Sequence, residues 1–170
     1  MQKLEHTLKK GEIVYRILLV IVTVFFVGCS QKVLFNSSTP YYVVMKNAQI
    51  AVADTGFIKK DENRLNLQLF SASTPIFDLH VEDNVCIGYT CVSKKRFNIE
   101  FFGVSHYDSF LEDLLNLRPI YDKKNLKKTT DGFEQKIKTG KFDITYKVEG
   151  GNLYFKDRQN EILIKLRELK

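Results

Sequence analysis

The sequence predicts a mainly β, α+β domain: an antiparallel sheet with one wet face and one mid-chain helix packed on the other. Three observations predict it. Several short runs alternate apolar and polar residues with period 2. Turn-forming clusters separate those runs. One stretch near residues 109–117 switches to helical spacing. The 170 residues suffice for a single domain, and 44% hydrophobic with 27% charged residues fits a globular chain. The net charge of +6 would suit a nucleic-acid partner. The N-terminus excludes that reading, because it points to export, away from DNA and cytosolic RNA.

Residues 1–16 carry Lys3, Lys9, Lys10 and Arg16, and the apolar run Ile17–Val27 follows. At about 1.5 Å per residue that run reaches roughly 16 Å, short of the ~30 Å hydrocarbon core. A basic start before a short apolar run reads as a secretory signal. Phe26-Val27-Gly28-Cys29-Ser30 resembles the bacterial lipoprotein signal, although Phe26 stands where that signal prefers Leu. The resemblance implies that 1–28 is removed and that Cys29 carries acyl chains. Residues 29–40 are then a lipidated tether and 41–170 the folded domain. Ser30 implies release to the outer membrane rather than retention at the inner one. An ordinary secretory signal and an uncut anchor are the alternatives.

Strand-like runs follow in order: Tyr41–Met45, Gln49–Ala53 and Gly56–Lys60. Leu65, Leu67 and Leu69 then alternate with Arg64, Asn66 and Gln68; Phe77, Leu79 and Val81 with Asp78, His80 and Glu82; Phe97, Ile99 and Phe101 with Arg96, Asn98 and Glu100. Ser109-x-x-Glu112 has capping-box spacing, and Phe110, Leu111, Leu114, Leu115 and Leu117 form one helical stripe that Arg118-Pro119 stops. That predicts a helix over Ser109–Leu117. A basic polar stretch, Asp122–Thr130, leads to Phe142–Val148, which alternates again. Gly150-Gly151 turns the chain into Leu153–Lys156, and Ile162–Leu166 closes it.

The residues of a catalyst are missing. The string Gly103-Val104-Ser105-His106-Tyr107 lacks the closing glycine of a nucleophile elbow, and no phosphate-binding glycine loop occurs. His80-x-Glu82 shares one strand face without a third ligand, so His80 reads as a polar-face residue and His106 as a loop or cap residue. No enzyme activity, cofactor or metal is expected. Cys86 and Cys91 flank four residues that include Gly88. In a hairpin they face each other within disulfide reach; in a straight strand they point to opposite faces. Lys94-Lys95-Arg96 and the group Lys123, Lys124, Lys127 and Lys128 read as solvated loop charge or as attraction to anionic headgroups.

The order of elements over roughly Gln49–Leu169 resembles the LolA/LolB family of lipoprotein carriers and receptors. The resemblance lies in Leu65–Phe70 with the Ser71–Pro75 turn and Phe77–Val81, in Phe110–Ile120, and in the closing Asp143–Tyr146 and Glu161–Leu169. It implies a curved half-barrel, the helix on its concave face, and a cavity for acyl chains lined by Leu65, Leu67, Leu69, Phe77, Leu79, Phe110 and Leu114. The implied partners are the membrane, through the lipid anchor, and lipoproteins or lipid acyl chains; the chain is expected to be monomeric. Ser71–Pro75 lacks the exposed leucine that the family receptor carries there, and the tether reads as too short and polar for the helix that precedes that receptor's first strand. The second function class is a non-catalytic structural or assembly lipoprotein of the outer membrane that binds a protein partner. A roomy apolar cavity beneath the helix favours the carrier and a solid core the scaffold.

Overall fold

The computed structural model describes residues 35–170, of which Phe35–Lys170 is one compact unit. The predicted signal, Cys29 and the first part of the tether lie outside the described residues. The elements are β1 Ser37–Lys46, β2 Ala51–Lys60, β3 Leu65–Ser71, β4 Thr74–Val81, β5 Asn84–Ile87 and β6 Thr90–Ser93. Two helices follow, α1 Lys94–Phe102 and α2 Phe110–Leu115, and then a 3-10 turn at Tyr121–Lys123. The chain ends with β7 Leu126–Thr129, β8 Gly132–Lys138, β9 Asp143–Glu149, β10 Asn152–Asp157 and β11 Ile162–Glu168.

All eleven strands join one antiparallel sheet in the order β6-β5-β4-β3-β2-β1-β11-β10-β9-β8-β7. Two meandering wings meet where β1 pairs with β11, with Val43 opposite Leu166. The sheet is unclosed, so β6 and β7 are its edges. The helices lie in the connection between those two edges.

Period-2 patterning sorts the two faces. Leu65, Leu67 and Leu69 are buried, as are Ile144, Tyr146 and Val148 of β9, whereas Lys147 and Glu149 are exposed. The inward residues of both wings and the apolar side chains of both helices form one core. Each fully buried aliphatic or Phe side chain stabilises the fold by about 1.5–3 kcal/mol relative to its exposed state. The hairpin between β9 and β10 turns on Gly150 (φ +53°) and Gly151 (φ +78°), a backbone that glycine adopts without steric cost.

Four sequence expectations are corrected. Phe97, Ile99 and Phe101 do not alternate in a strand; they belong to α1. Phe97 and Phe101 are four apart, so both a strand and a helix place them on one face. The helix turns the shared face inward and leaves Ile99 47% exposed. The Ser93 hydroxyl accepts from the Arg96 N–H at 3.3 Å, Arg96 pairs with Glu100 at 2.6 Å, and Gly103 ends α1 in the left-handed conformation. The domain therefore holds two helices in place of one.

The second helix is also shorter than predicted, running Phe110–Leu115. Ser109 makes no side-chain cap, and Glu112 reaches instead to Lys94 at 2.5 Å. Gln49–Ala53 and Gly56–Lys60 are not separate strands. β2 runs unbroken from Ala51, because the Asn47 side chain accepts from the N–H groups of Gln49 and Ile50 and closes the turn first. Finally, Ser37–Pro40, assigned to the tether, pair with Phe57–Lys60 and extend β1.

Candidate functional site

The face that the sequence marks for acyl chains is the inner face of β3 and β4 beneath α2. Leu65 pairs with Val81, Leu67 with Leu79 and Leu69 with Phe77, so three apolar rungs stand side by side. Phe110 and Leu114 project from α2 into the same core. Leu67, Leu69, Leu79, Phe110 and Leu114 have 0% exposed surface, so none borders a space that admits a water molecule. Leu65 is 4% exposed, and Phe77 is partly buried at the margin.

Rings fill the interior. Phe102, at the end of α1, packs edge-on against Phe110 at 5.0 Å and Phe155 of β10 at 6.1 Å, and Phe110 lies 5.9 Å from Phe155. The side chains that cover the sheet therefore occupy the space between sheet and helices. Phe102 and Phe155 are not among the residues expected to line it; in the structure Leu153 and Phe155 share the buried face of β10.

Polar groups fix the rest of the covering segment. Gln135 of β8 is fully buried; its amide nitrogen donates to the carbonyls of Ile120 and Lys124, and its amide oxygen accepts from the Ile120 N–H. The Tyr146 hydroxyl donates to the Arg118 carbonyl at 3.0 Å. On the other wing the Asn47 amide donates to the Phe101 carbonyl at 2.9 Å.

His106 lies in the loop between α1 and α2, as expected, but it is a buried part of this layer, 6% exposed. Its ring stacks on Phe110 at 3.8 Å, its Nδ1 bonds the Tyr121 hydroxyl, and its Nε2 has no partner. Burial pushes its pKa down to about 4, against a smaller opposing effect of Asp157, so the ring is neutral at pH 7. Burial likewise pushes Tyr121 up to about 12, which keeps its hydroxyl protonated. Nothing but the loop between two apolar runs marked His106 in the sequence.

Cys86 and Cys91 stand opposite each other on β5 and β6 and are joined as a disulfide. The inward residues of that hairpin, Val85, Ile87 and Val92, form with Ile50, Phe97 and Phe101 a mostly apolar groove of about 140 Å³ beside α1. His80 lies on the outer face, 3.1 Å from Asp78, away from the groove. Among the described residues no cluster of three or more His, Cys, Asp or Glu is arranged to hold a metal ion. Of the two basic groups, Lys94 and Arg96 are drawn into ion pairs in and beside α1, while Lys127 and Lys128 lie on the edge strand β7.

No protein-family model matches the chain, and no curated protein matches it.

Proposed function

We propose that this protein is an envelope lipoprotein, anchored through Cys29 at the outer membrane and facing the periplasm, whose sheet forms a half-barrel that receives acyl chains of lipoproteins or lipids. The observation that carries the proposal is the placement of the helices: they connect the two free edges of the sheet and cover its one continuous apolar face. This single segment touches Asn47 at the end of β1 on one wing and Gln135, Tyr146 and Phe155 on the other, the arrangement a cover over a curved sheet would have. Such a face needs a cover when empty, since apolar area loses about 25 cal/mol per Å² when left in water. Side chains of the cover hold the place that acyl chains would take. The resemblance to the LolA/LolB carriers supports the same reading.

The zero exposure of Leu67, Leu69, Leu79, Leu114 and Phe110 favours a second reading, a scaffold lipoprotein with a permanently solid core that binds a protein partner. One experiment separates the two. The mature-length chain with Cys29→Ser is mixed with a fluorescent fatty acid, and a diacylglyceryl-modified peptide is added as competitor. The carrier gives saturable binding near one probe per chain, displaced by the lipopeptide. Folded protein that binds no probe rejects the carrier and leaves the scaffold.

A further inference from the structure

The outer faces of the two wings differ in charge. On β1, β11 and β10, which are adjacent, the outward positions include Lys46, Lys156, Lys165 and Arg167, all exposed. The register places Tyr42 opposite Arg167, and Tyr154 opposite Lys165. The remaining outward positions of these strands are apolar, Ser or Asn; none is acidic. Among the described residues, none of the four cations has an acidic partner within salt-bridge distance. Farther out, on β8 and β9, Lys136 and Lys147 share the single carboxylate of Glu134. The outward positions of β2, β3 and β4 carry instead one cation, Lys59, and one anion, Asp78, which His80 faces, among amide, apolar and Thr side chains.

This concentration of charge is held in place. Arg167 lies over the Tyr42 ring at 5.3 Å and Lys165 over the Tyr154 ring at 5.6 Å. Side chains two apart on a strand are roughly 7 Å apart, so the cations repel one another mildly in water. Ion pairing usually offsets such repulsion on a sheet face; here no anion on these strands does so.

We infer that the outer face of β1, β11 and β10 docks on the anionic headgroup surface of a phospholipid bilayer. The face is broad and formed by hydrogen-bonded strands, and tyrosines alternate with cations as they do at membrane interfaces. The chain outside the described residues sets its reach. Seven residues separate Cys29 from Ser37, the eight steps between the two span at most about 29 Å, and they lead directly into β1. A lipid on Cys29 would hold this face at high effective concentration beside headgroups. The inference rests on the anchor of the proposed function and not on acyl binding.

The test uses the mature-length chain with Cys29→Ser, which lacks the anchor and retains the compact unit Phe35–Lys170. Binding is measured by co-sedimentation with vesicles of equimolar phosphatidylglycerol and phosphatidylcholine, and with phosphatidylcholine alone. Binding is expected only to the anionic vesicles, and it is lost at high salt. Each basic residue at such a surface contributes about a fivefold gain. The combined variant Lys156→Gln, Lys165→Gln, Arg167→Gln should therefore bind about a hundredfold more weakly, with an unchanged melting temperature. Lys123→Gln, Lys124→Gln, Lys128→Gln removes the same charge elsewhere and should stay within about twofold. Equal loss in both variants, or equal binding to neutral vesicles, overturns the inference. Binding to polyglutamate without binding to vesicles also overturns it and assigns the face to an acidic protein. Acyl-probe binding should be the same in all of these proteins, so failure here leaves the carrier reading standing.

Discussion

The two ends of the covering segment are held to the sheet by different forces. α1 meets its wing through apolar contacts beside a groove, with one buried hydrogen bond, from Asn47 to Phe101. The stretch from Arg118 to Lys124 meets the other wing through four hydrogen bonds from Gln135 and Tyr146. Apolar contact is non-directional, and an acyl chain can replace it with little loss. A buried amide hydrogen bond has no substitute in a lipid tail, and leaving its groups unpaired costs about 1–3 kcal/mol each. If acyl chains enter, α1 should therefore yield first while the second stretch stays docked. The interior of the segment points the same way, since the Asn98 side-chain oxygen in α1 is buried without a partner.

The largest effect should come where the two regimes join. Phe102 touches Phe97 and Phe101 of its own helix, and also His106, Phe110 and Phe155. Phe102→Ala should cost about 3–5 kcal/mol in denaturant unfolding. If a carrier site lies beneath, the smaller side chain leaves room and acyl-probe affinity should rise. A destabilised variant with no probe binding would make both ends of the segment parts of one inert core.

Next comes the polar clamp. Gln135→Leu leaves the Ile120 N–H and two carbonyls without partners, for about 3 kcal/mol. Hydrogen exchange should accelerate at residues 118–124 and remain unchanged in α1. Asn47→Ala should give the converse pattern. Uniform acceleration in either variant would show that the segment opens as one piece and would erase the contrast.

Strands with one dry face were legible, so Leu65-Leu67-Leu69 and Ile144-Tyr146-Val148 announce both the element and its inward side, whereas β7, which buries none of its residues, was read as part of the basic stretch Asp122–Thr130. α1 was not legible, because residues four apart satisfy both periods and three successive cations, Lys94 to Arg96, sit in a first turn where acidic residues are the usual mark. The seven expected lining residues all lie on or against the inner core, but whether space remains between them depends on Phe102 and Phe155. Those rings meet across fifty residues of chain, and no local pattern states how two distant shapes fit. The clamp was equally hidden. Gln135 reads as one more inward position between Phe133 and Ile137, and its partners are backbone groups, which every residue has.

The smallest effect concerns His106, which lies in the layer between the two regimes and whose lowered pKa falls in an accessible pH range. Its folded pKa of about 4 is below the usual value of 6.5, because protonation would place a charge against Phe110 and Phe142. The unfolded chain therefore takes up the proton first as pH falls. The contribution of neutral His106 to stability is complete above pH 6.5 and is lost progressively down to about pH 4. One proton over one and a half pH units corresponds to about 2 kcal/mol between pH 7 and pH 5. His106→Phe keeps the stacking on Phe110 and cannot titrate, so the wild type should lose about that much relative to the variant over the same interval. Carboxylates titrate alike in both proteins and cancel in the difference. A constant difference from pH 7 to pH 5 would mean that the ring already protonates freely, and hence that the layer around His106 is open to water before any ligand arrives.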